Sequence, residues 1–200
     1  MKHLATLSLL ILAAVPCFAA STVATPSTAP PVAVKFLDLF DRLRAAQDPA
    51  GDHAHIAFQL SETDINDYLR YSLKTTPRPG LDSITVKFLA KNYISTSTRI
   101  DFDAVERWRP GTIPAVFRSI LKGKKSISID SHIQATDSNL TFTIDKARYE
   151  DLPLSTFFVE KMIQIMAARQ PEKYDTSKPL PLPFGLHKLW TTEHLINGNN

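Results

Sequence analysis

Two stretches in which apolar and polar residues alternate limit most strongly what this chain can fold into. The first runs from Ile84 to Phe102 and is interrupted at Lys91-Asn92. The second runs from Ile127 to Ile144 and is interrupted at Asp137-Ser138-Asn139. Since successive side chains of a strand point to opposite faces, each stretch predicts a β-hairpin with one apolar and one polar face. Each apolar face must then be covered by another part of the chain.

Helical spacing of apolar residues predicts what covers these faces. Val34 to Ala46 carries a wide apolar stripe, and Ser61 with Asp64 three residues later predicts the N-cap of a second helix. A third helix is expected from Ser155 to Arg169, after the break at Leu152-Pro153-Leu154. We also expect a short helix within 113–121 and short strands within 55–60 and 186–190. Together these elements predict an α+β fold.

The first residues have the features of a secretory signal peptide. Lys2 precedes an apolar run from Leu4 to Val15, and small residues follow at Cys17 and Ala19. We expect cleavage after Ala19, within a signal peptide of residues 1–19, and therefore a periplasmic or secreted protein. A lipid anchor on Cys17 is the alternative, but Pro16 directly before it fits a lipoprotein signal poorly.

Shifts in composition divide the remaining chain. Residues 20–33 are rich in Ser, Thr, Ala and Pro and carry no charge, which predicts an extended linker. Residues 34–196 are expected to form a single domain, and residues 197–200 a polar tail. With 44% hydrophobic residues and a formal net charge of +3, the chain has the composition of a globular protein with a packed core.

Patterns that would indicate catalysis or nucleotide binding are missing or incomplete. The six glycines form neither glycine-rich phosphate-binding motif, and an exported chain is not expected to meet nucleic acid. A histidine pair, a glutamate next to a histidine, serines near a histidine and paired carboxylates all lack the further residues that metal binding or catalysis requires. These groups are His53 with His55, Glu193 with His194, Ser126, Ser128 and Ser131 near His132, Asp101 with Asp103, and Glu150 with Asp151. We therefore expect a protein that is not an enzyme and has no metal or cofactor.

Three short motifs carry a resemblance to a known group of proteins. They are Leu60-Ser-Glu-Thr-Asp-Ile-Asn-Asp-Tyr-Leu69, the Leu152-Pro-Leu154 break with the helix behind it, and Pro181-Leu-Pro-Phe-Gly-Leu186 before the last expected strand. Over roughly Phe58 to Trp190, this arrangement resembles small exported bacterial domains of the tubular lipid-binding (TULIP) superfamily. The resemblance implies a strongly curved antiparallel sheet, built from hairpins and wrapped around a long amphipathic helix, with a groove that accepts lipid and no catalytic residues.

This resemblance leads to the hypothesis of a periplasmic protein that binds or shuttles lipid in an apolar groove. The residues that it implies for the groove are Ile65, Leu69, Val86, Phe88, Ile100, Phe102, Ile129, Phe142, Phe158, Met162 and Met166. Contact with a membrane surface is compatible with the basic runs at Arg107-Trp108-Arg109 and Lys122-Gly123-Lys124-Lys125.

Two other functions stay open at the level of sequence. The apolar faces would also suit a non-catalytic module of cell-envelope assembly that binds a protein partner. A cell-wall hydrolase is the third hypothesis, with His53 and His55 as the residues to test. The sequence does not distinguish a filled core from a lined cavity, because the same residue types build both.

Overall fold

The computed structural model describes residues 30–48, 54–113, 115–168 and 178–200. The expected signal peptide and most of the expected linker lie outside these residues, as does His53. The described part has the expected α+β composition, with a large open antiparallel sheet, a smaller antiparallel sheet and helices packed against them. Within this part, no helix is both long enough and apolar enough to cross a membrane.

The elements follow one another in a simple order along the chain. The four helices are α1 (Pro31–Ala45), α2 (Glu62–Thr75), α3 (Phe102–Trp108) and α4 (Thr156–Ala168). The strands are β1 (Ala57–Ser61), β2 (Leu81–Leu89), β3 (Tyr93–Asp101), β4 (Lys124–Thr136), β5 (Asn139–Tyr149), β6 (Leu152–Leu154), β7 (Leu180–Pro181), β8 (Lys188–Thr192) and β9 (Leu195–Asn199). Single 3₁₀ turns lie at Ala115–Phe117 and Pro183–Gly185.

The large sheet consists of the two predicted hairpins side by side. Its strand order is β2-β3-β4-β5-β6, and β7 pairs with the far end of β5. The turns fall where the sequence predicts them, with left-handed backbone at Lys91 and Asn92 and again at Asp137 and Ser138. In the second turn these two residues alone join paired strand ends, which is the geometry of a type I′ hairpin. The alternation along the sequence thus specifies both hairpins.

The small sheet contains a strand that the sequence analysis did not predict. Its order is β1-β9-β8, and β9 pairs with β1 from Ala57 opposite Asn199 to Ser61 opposite Leu195. The expected polar tail of residues 197–200 is therefore wrong for Asn197 to Asn199. Asn197 is buried, and its side-chain oxygen accepts a hydrogen bond of 2.9 Å from Gln59. A polar strand can lie at the centre of a sheet when its side chains find partners in this way.

The segment between the hairpins also differs from the prediction. The alternation of β3 was expected to continue through Phe102, but a helix begins there, because the Asp101 carboxylate accepts a hydrogen bond from the Ala104 backbone amide at 2.9 Å. The helix expected within 113–121 is represented only by the 3₁₀ turn at Ala115–Phe117. A helix capped by aspartate thus replaces the last residue of the predicted strand.

Helix α2 is attached to the edge strand β2 by its side chains. Its N-terminus has the predicted capping box, in which the Asp64 backbone amide donates to Ser61 Oγ and the Ser61 amide donates to Asp64 Oδ2. One turn later, Asn66 both accepts from the Val86 amide and donates to the Val86 carbonyl, each at 2.8 Å. The Glu62 carboxylate accepts from the Phe88 amide at 3.0 Å. These bonds occupy backbone groups that an edge strand otherwise leaves open to other chains.

Candidate functional site

The inner face of the large sheet, which carries the apolar residues, is not evenly covered. Strand register places Val86, Thr96, Ile129 and Ala147 opposite one another across β2 to β5, so they share this face. Val86, on the edge strand, is only 1% exposed, whereas Ile129, on the central strand, is half-buried. A central strand is thus more open than an edge strand. Among the described residues, the inner face is therefore less completely covered at Ile129 than at Val86.

Helices pack on the inner face on both sides of Ile129. Helices α1 and α2 cover β2 through a core that includes Phe36, Phe40 and Phe88. On the other side, α4 contacts β5 through a small separate core of Ile144, Ala147, Val159 and Ile163. The half-buried residues on the inner face of the sheet between these helices, together with Phe158 of α4, are called here the inner trough. They are Thr96, Ile127, Ile129, Phe142 and Phe158.

The residues that the sequence predicts for a lipid groove are distributed over three cores. Ile65, Val86 and Phe88 are buried in the first core, with Leu69 packed against it. Ile100 and Phe102 are buried in a second core near α3. Ile129, Phe142 and Phe158 are half-buried and pack against the third core, below and beside α4. The side chains of Met162 and Met166 lie outside the described part of the chain. The described structure thus brings together Ile129, Phe142 and Phe158.

Two lining residues of the inner trough were not among the predicted groove residues. Ile127 and Thr96 face the same side as Ile129, because Thr98 lies opposite Ile127 and Thr96 lies opposite Ile129. The alternating pattern already placed Ile127 on the apolar face. Thr96 could have been found only from the register between β3 and β4, which a single sequence does not give.

A group of exposed apolar side chains lies at one end of the large sheet, next to the inner trough. Leu152 is 69% exposed and pairs with Tyr149, whose hydroxyl donates to the Ile120 carbonyl at 2.7 Å. Burial raises the pKa of Tyr149, and the nearby Glu150 raises it further. Phe157 is 64% exposed and adjoins Phe158. We call Ile120, Leu152 and Phe157 the exposed apolar rim.

The rim and the trough are connected through aromatic contacts. The ring of Phe158 meets the ring of Phe117 edge-on, with 4.7 Å between the centroids. Phe117 in turn packs against the second core near α3. Trp108, at the end of α3, is half-exposed and has Arg107 and Arg109 on either side in the sequence. Apolar contacts therefore connect Phe158 through Phe117 to the second core near α3.

Three of the residues considered for catalysis make structural hydrogen bonds in the described structure. Asp101 caps α3, and the Glu150 carboxylate accepts from the Ser126 amide at 3.0 Å. Ser131 is buried and its hydroxyl donates to the Ile94 carbonyl, whereas the next residue, His132, lies on the opposite face against Tyr93. His55 is exposed. In the described ranges, no three His, Cys, Asp or Glu residues come close enough together to hold a metal ion.

Comparison with known proteins gives a weak structural likeness. No family model matches this chain, and no curated protein matches it. A crystal structure of a lipopolysaccharide binding protein is similar at a TM-score of 0.22 and 11% sequence identity. The match covers 72% of this chain and 39% of that protein, so this chain corresponds to well under half of its length.

Proposed function

We propose that this chain is an exported, non-catalytic lipid-binding domain of the TULIP type, and that the inner trough accepts acyl chains. The observation that carries the proposal is the half-burial of Ile129 on a central strand, while Val86 on the edge strand is fully covered. Apolar side chains left open on an inner face are stabilised by an apolar ligand. Periplasmic or secreted localisation is part of this proposal and follows from the signal-peptide features of residues 1–19.

The small core beneath α4 suits the entry of a lipid. Among its described side chains, α4 contributes the buried residues Val159 and Ile163 to its core with β5, far fewer residues than the main core contains, so in this proposal moving α4 exposes less apolar surface than unfolding the main core. Each methylene that leaves water contributes about 0.8 kcal/mol to the free energy of lipid binding. An acyl chain can therefore offset the free-energy cost of moving α4. In the ligand-bound form the sheet would curve around α4 with the acyl chain between them.

The exposed apolar rim gives the trough a route to a membrane. Leu152 lies just before α4 in the chain and Phe157 lies in the first turn of α4, where an acyl chain would enter. Ile120 of the rim lies two residues before Lys122, and an exposed apolar side chain next to a cation suits the interface between acyl chains and headgroups. In this proposal the protein contacts the membrane peripherally while it exchanges lipid.

Native mass spectrometry of the exported protein, with organic extraction of what it carries, tests the proposal. The protein is compared with an Ile129→Trp variant, whose larger ring fills the trough. We expect about one lipid per chain in the parent protein and a loss of most of it in Ile129→Trp. The control variant Thr143→Trp places the same ring on the opposite face of β5, where residue 143 is exposed. Equal lipid occupancy in both variants, or an empty parent protein after incubation with an envelope lipid extract, would exclude the trough as a lipid site.

A second function is favoured by the same exposed apolar rim. Exposed Leu and Phe side chains also suit contact with a protein. In that case the chain is a non-catalytic module of envelope assembly, and the trough stays empty. Crosslinking from residue 152 in intact cells distinguishes the two functions, because an assembly module gives one defined protein adduct and a lipid carrier gives adducts with lipid.

A further inference from the structure

The outer face of the large sheet, opposite the trough, contains a polar hollow. It has a volume of about 230 Å³, smaller than the roughly 300–1,000 Å³ of sites that hold drug-sized ligands. We call it the outer hollow. Its lining residues are Thr85, Lys87, Ser95, Ser97, Ser128, Asp130, Lys146 and Arg148.

The hollow forms because short side chains stand between long ones. Register places Thr85, Ser97, Ser128 and Arg148 in one row across four strands. The neighbouring row consists of Lys87, Ser95, Asp130 and Lys146. Serines on the central strands thus make a low floor, and the lysines and arginine on the flanking strands make the walls. A β-bulge in β5 at this point increases the local twist of the sheet.

The charges of the outer hollow are not balanced. Lys87, Lys146 and Arg148 face a single carboxylate, Asp130. Within the described residues none of these three cations makes an ion pair, whereas Lys35 pairs with Asp64 and Lys124 with Asp82 elsewhere on the surface. Three cations around one depression repel one another. Binding an anion there removes this repulsion.

The positions of the charges indicate what kind of anion fits. Arg148 is in the row with Ser97, Ser128 and Thr85, where a guanidinium and hydroxyls can donate to the oxygens of a phosphate. Asp130 lies in the other row between Ser95 and Lys146. A carboxylate repels a phosphate but accepts hydrogen bonds from hydroxyl groups. We propose that the outer hollow binds a phosphorylated sugar, with the phosphate at Arg148 and the sugar hydroxyls at Asp130.

Titration calorimetry with the full processed chain tests this site. The ligands are glucose phosphate, inorganic phosphate and unphosphorylated glucose. We expect glucose phosphate to bind most tightly and Arg148→Gln to weaken it about tenfold or more, as the loss of a charge-assisted contact does. Arg107→Gln removes the same charge from α3 and is the matched control. Equal affinity for glucose phosphate in the two variants would overturn the proposal, and so would the absence of binding both to glucose phosphate and to the vesicles described below.

Asp130→Asn provides a second test that general charge effects cannot imitate. Removing this negative charge should strengthen the binding of inorganic phosphate. The same change should reduce the preference for glucose phosphate over inorganic phosphate, because the sugar hydroxyls lose their carboxylate acceptor. If Asp130→Asn strengthens the binding of both ligands equally, the carboxylate has no role in recognition and the assignment of the sugar is wrong.

The phosphorylated sugar could be free or could be the headgroup of a lipid. Binding of the protein to phosphatidylcholine vesicles with and without phosphatidylinositol phosphate distinguishes these sources. If the vesicles containing the phosphorylated headgroup bind and Arg148→Gln prevents it, the source is a lipid headgroup. If glucose phosphate binds in calorimetry and the vesicles do not, the source is a free sugar phosphate. Both results support the site, and binding to neither overturns it.

Discussion

At the scale of single residues, Asn66 has the clearest energetic role. It both donates to and accepts from the backbone of Val86, which lies in the open edge of the large sheet. Replacing it by alanine leaves both partly buried backbone groups without a partner and should cost about 2–3 kcal/mol of unfolding free energy. Urea denaturation of Asn66→Ala measures this loss. Thr63→Ala, at an exposed position on the same helix, should cost under about 0.5 kcal/mol, and a similar loss in both variants would contradict the assigned role.

A second prediction at this scale concerns Asp64 and pH. The hydrogen bond from Lys35 Nζ, at 2.7 Å, lowers the pKa of Asp64 below 3.8, with help from Ser61 and despite partial burial. A depressed folded-state pKa gives stabilisation that is complete above the unfolded pKa of about 3.9 and is lost as the pH falls through the folded value. Because both side chains are partly exposed, the ion pair contributes at most about 1 kcal/mol.

The variant Lys35→Met should therefore raise the pKa of Asp64 and weaken the fall in stability below about pH 4. A carboxyl titration by NMR measures the pKa directly. Lys74→Met, on the same helix as Asp64, removes an exposed lysine that has no hydrogen bond or ion pair among the described residues and is the control. An unchanged pKa in Lys35→Met would show that the capping box alone sets it.

At the scale of elements, the sequence predicts what depends on local patterns and misses what depends on distant pairing. The alternation of β2 to β5 and the Ser61-Asp64 capping box are properties of neighbouring residues, and both are confirmed. Strand β9 has a mostly polar sequence, and its partner β1 is far away in the chain. No local pattern marks it as a strand. The register between the two hairpins cannot be predicted from the sequence for the same reason. This register decides which residues share the trough and the outer hollow.

The junction between β2 and α3 gives a prediction at this scale. Gly80 has a positive φ of 87°, and a Cβ there would lie 2.7 Å from the Asp101 carbonyl oxygen and 2.8 Å from the Val105 amide nitrogen. Both are backbone atoms that cannot move without shifting α3. Gly80→Ala should therefore cost about 2–4 kcal/mol, the sum of left-handed strain and overpacking.

Gly111→Ala is the matched control for this prediction. Gly111 has a similar φ of 81°, but nothing lies within 4 Å of the position of its Cβ. The control should lose only the conformational part, about 1–2 kcal/mol. Thermal unfolding of the two variants separates strain from steric contact. Equal losses would mean that α3 does not pack against Gly80 as closely as described.

At the scale of the whole molecule, function depends on how unevenly the two faces of one sheet are covered. The inner face is closed over β2 and half-open over β4, and the outer face has a polar hollow between cationic walls. Sequence predicts that the faces differ, because alternation separates apolar from polar side chains. It does not predict where cover is missing, since Val86 and Ile129 are equally apolar. Only the positions of α2 and α4 decide that Val86 is buried in the core and that Ile129 is half-buried in the trough.

The exposed apolar rim leads to the last prediction. Leu152 and Phe157 are largely exposed, so replacing both by serine removes apolar surface without opening a core, and the unfolding free energy should change by no more than about 0.5 kcal/mol. If the rim docks on a membrane, the double variant loses up to about 3–4 kcal/mol of interfacial burial. The affinity for anionic phospholipid vesicles, measured by cosedimentation, should then fall at least tenfold.

The control is a double variant, Thr141→Ser with Thr143→Ser, on the exposed outer face of β5. It should bind the vesicles as the parent protein does. If the rim variant also binds like the parent, the rim does not contact lipid, and the protein-partner function becomes the better explanation of its exposure.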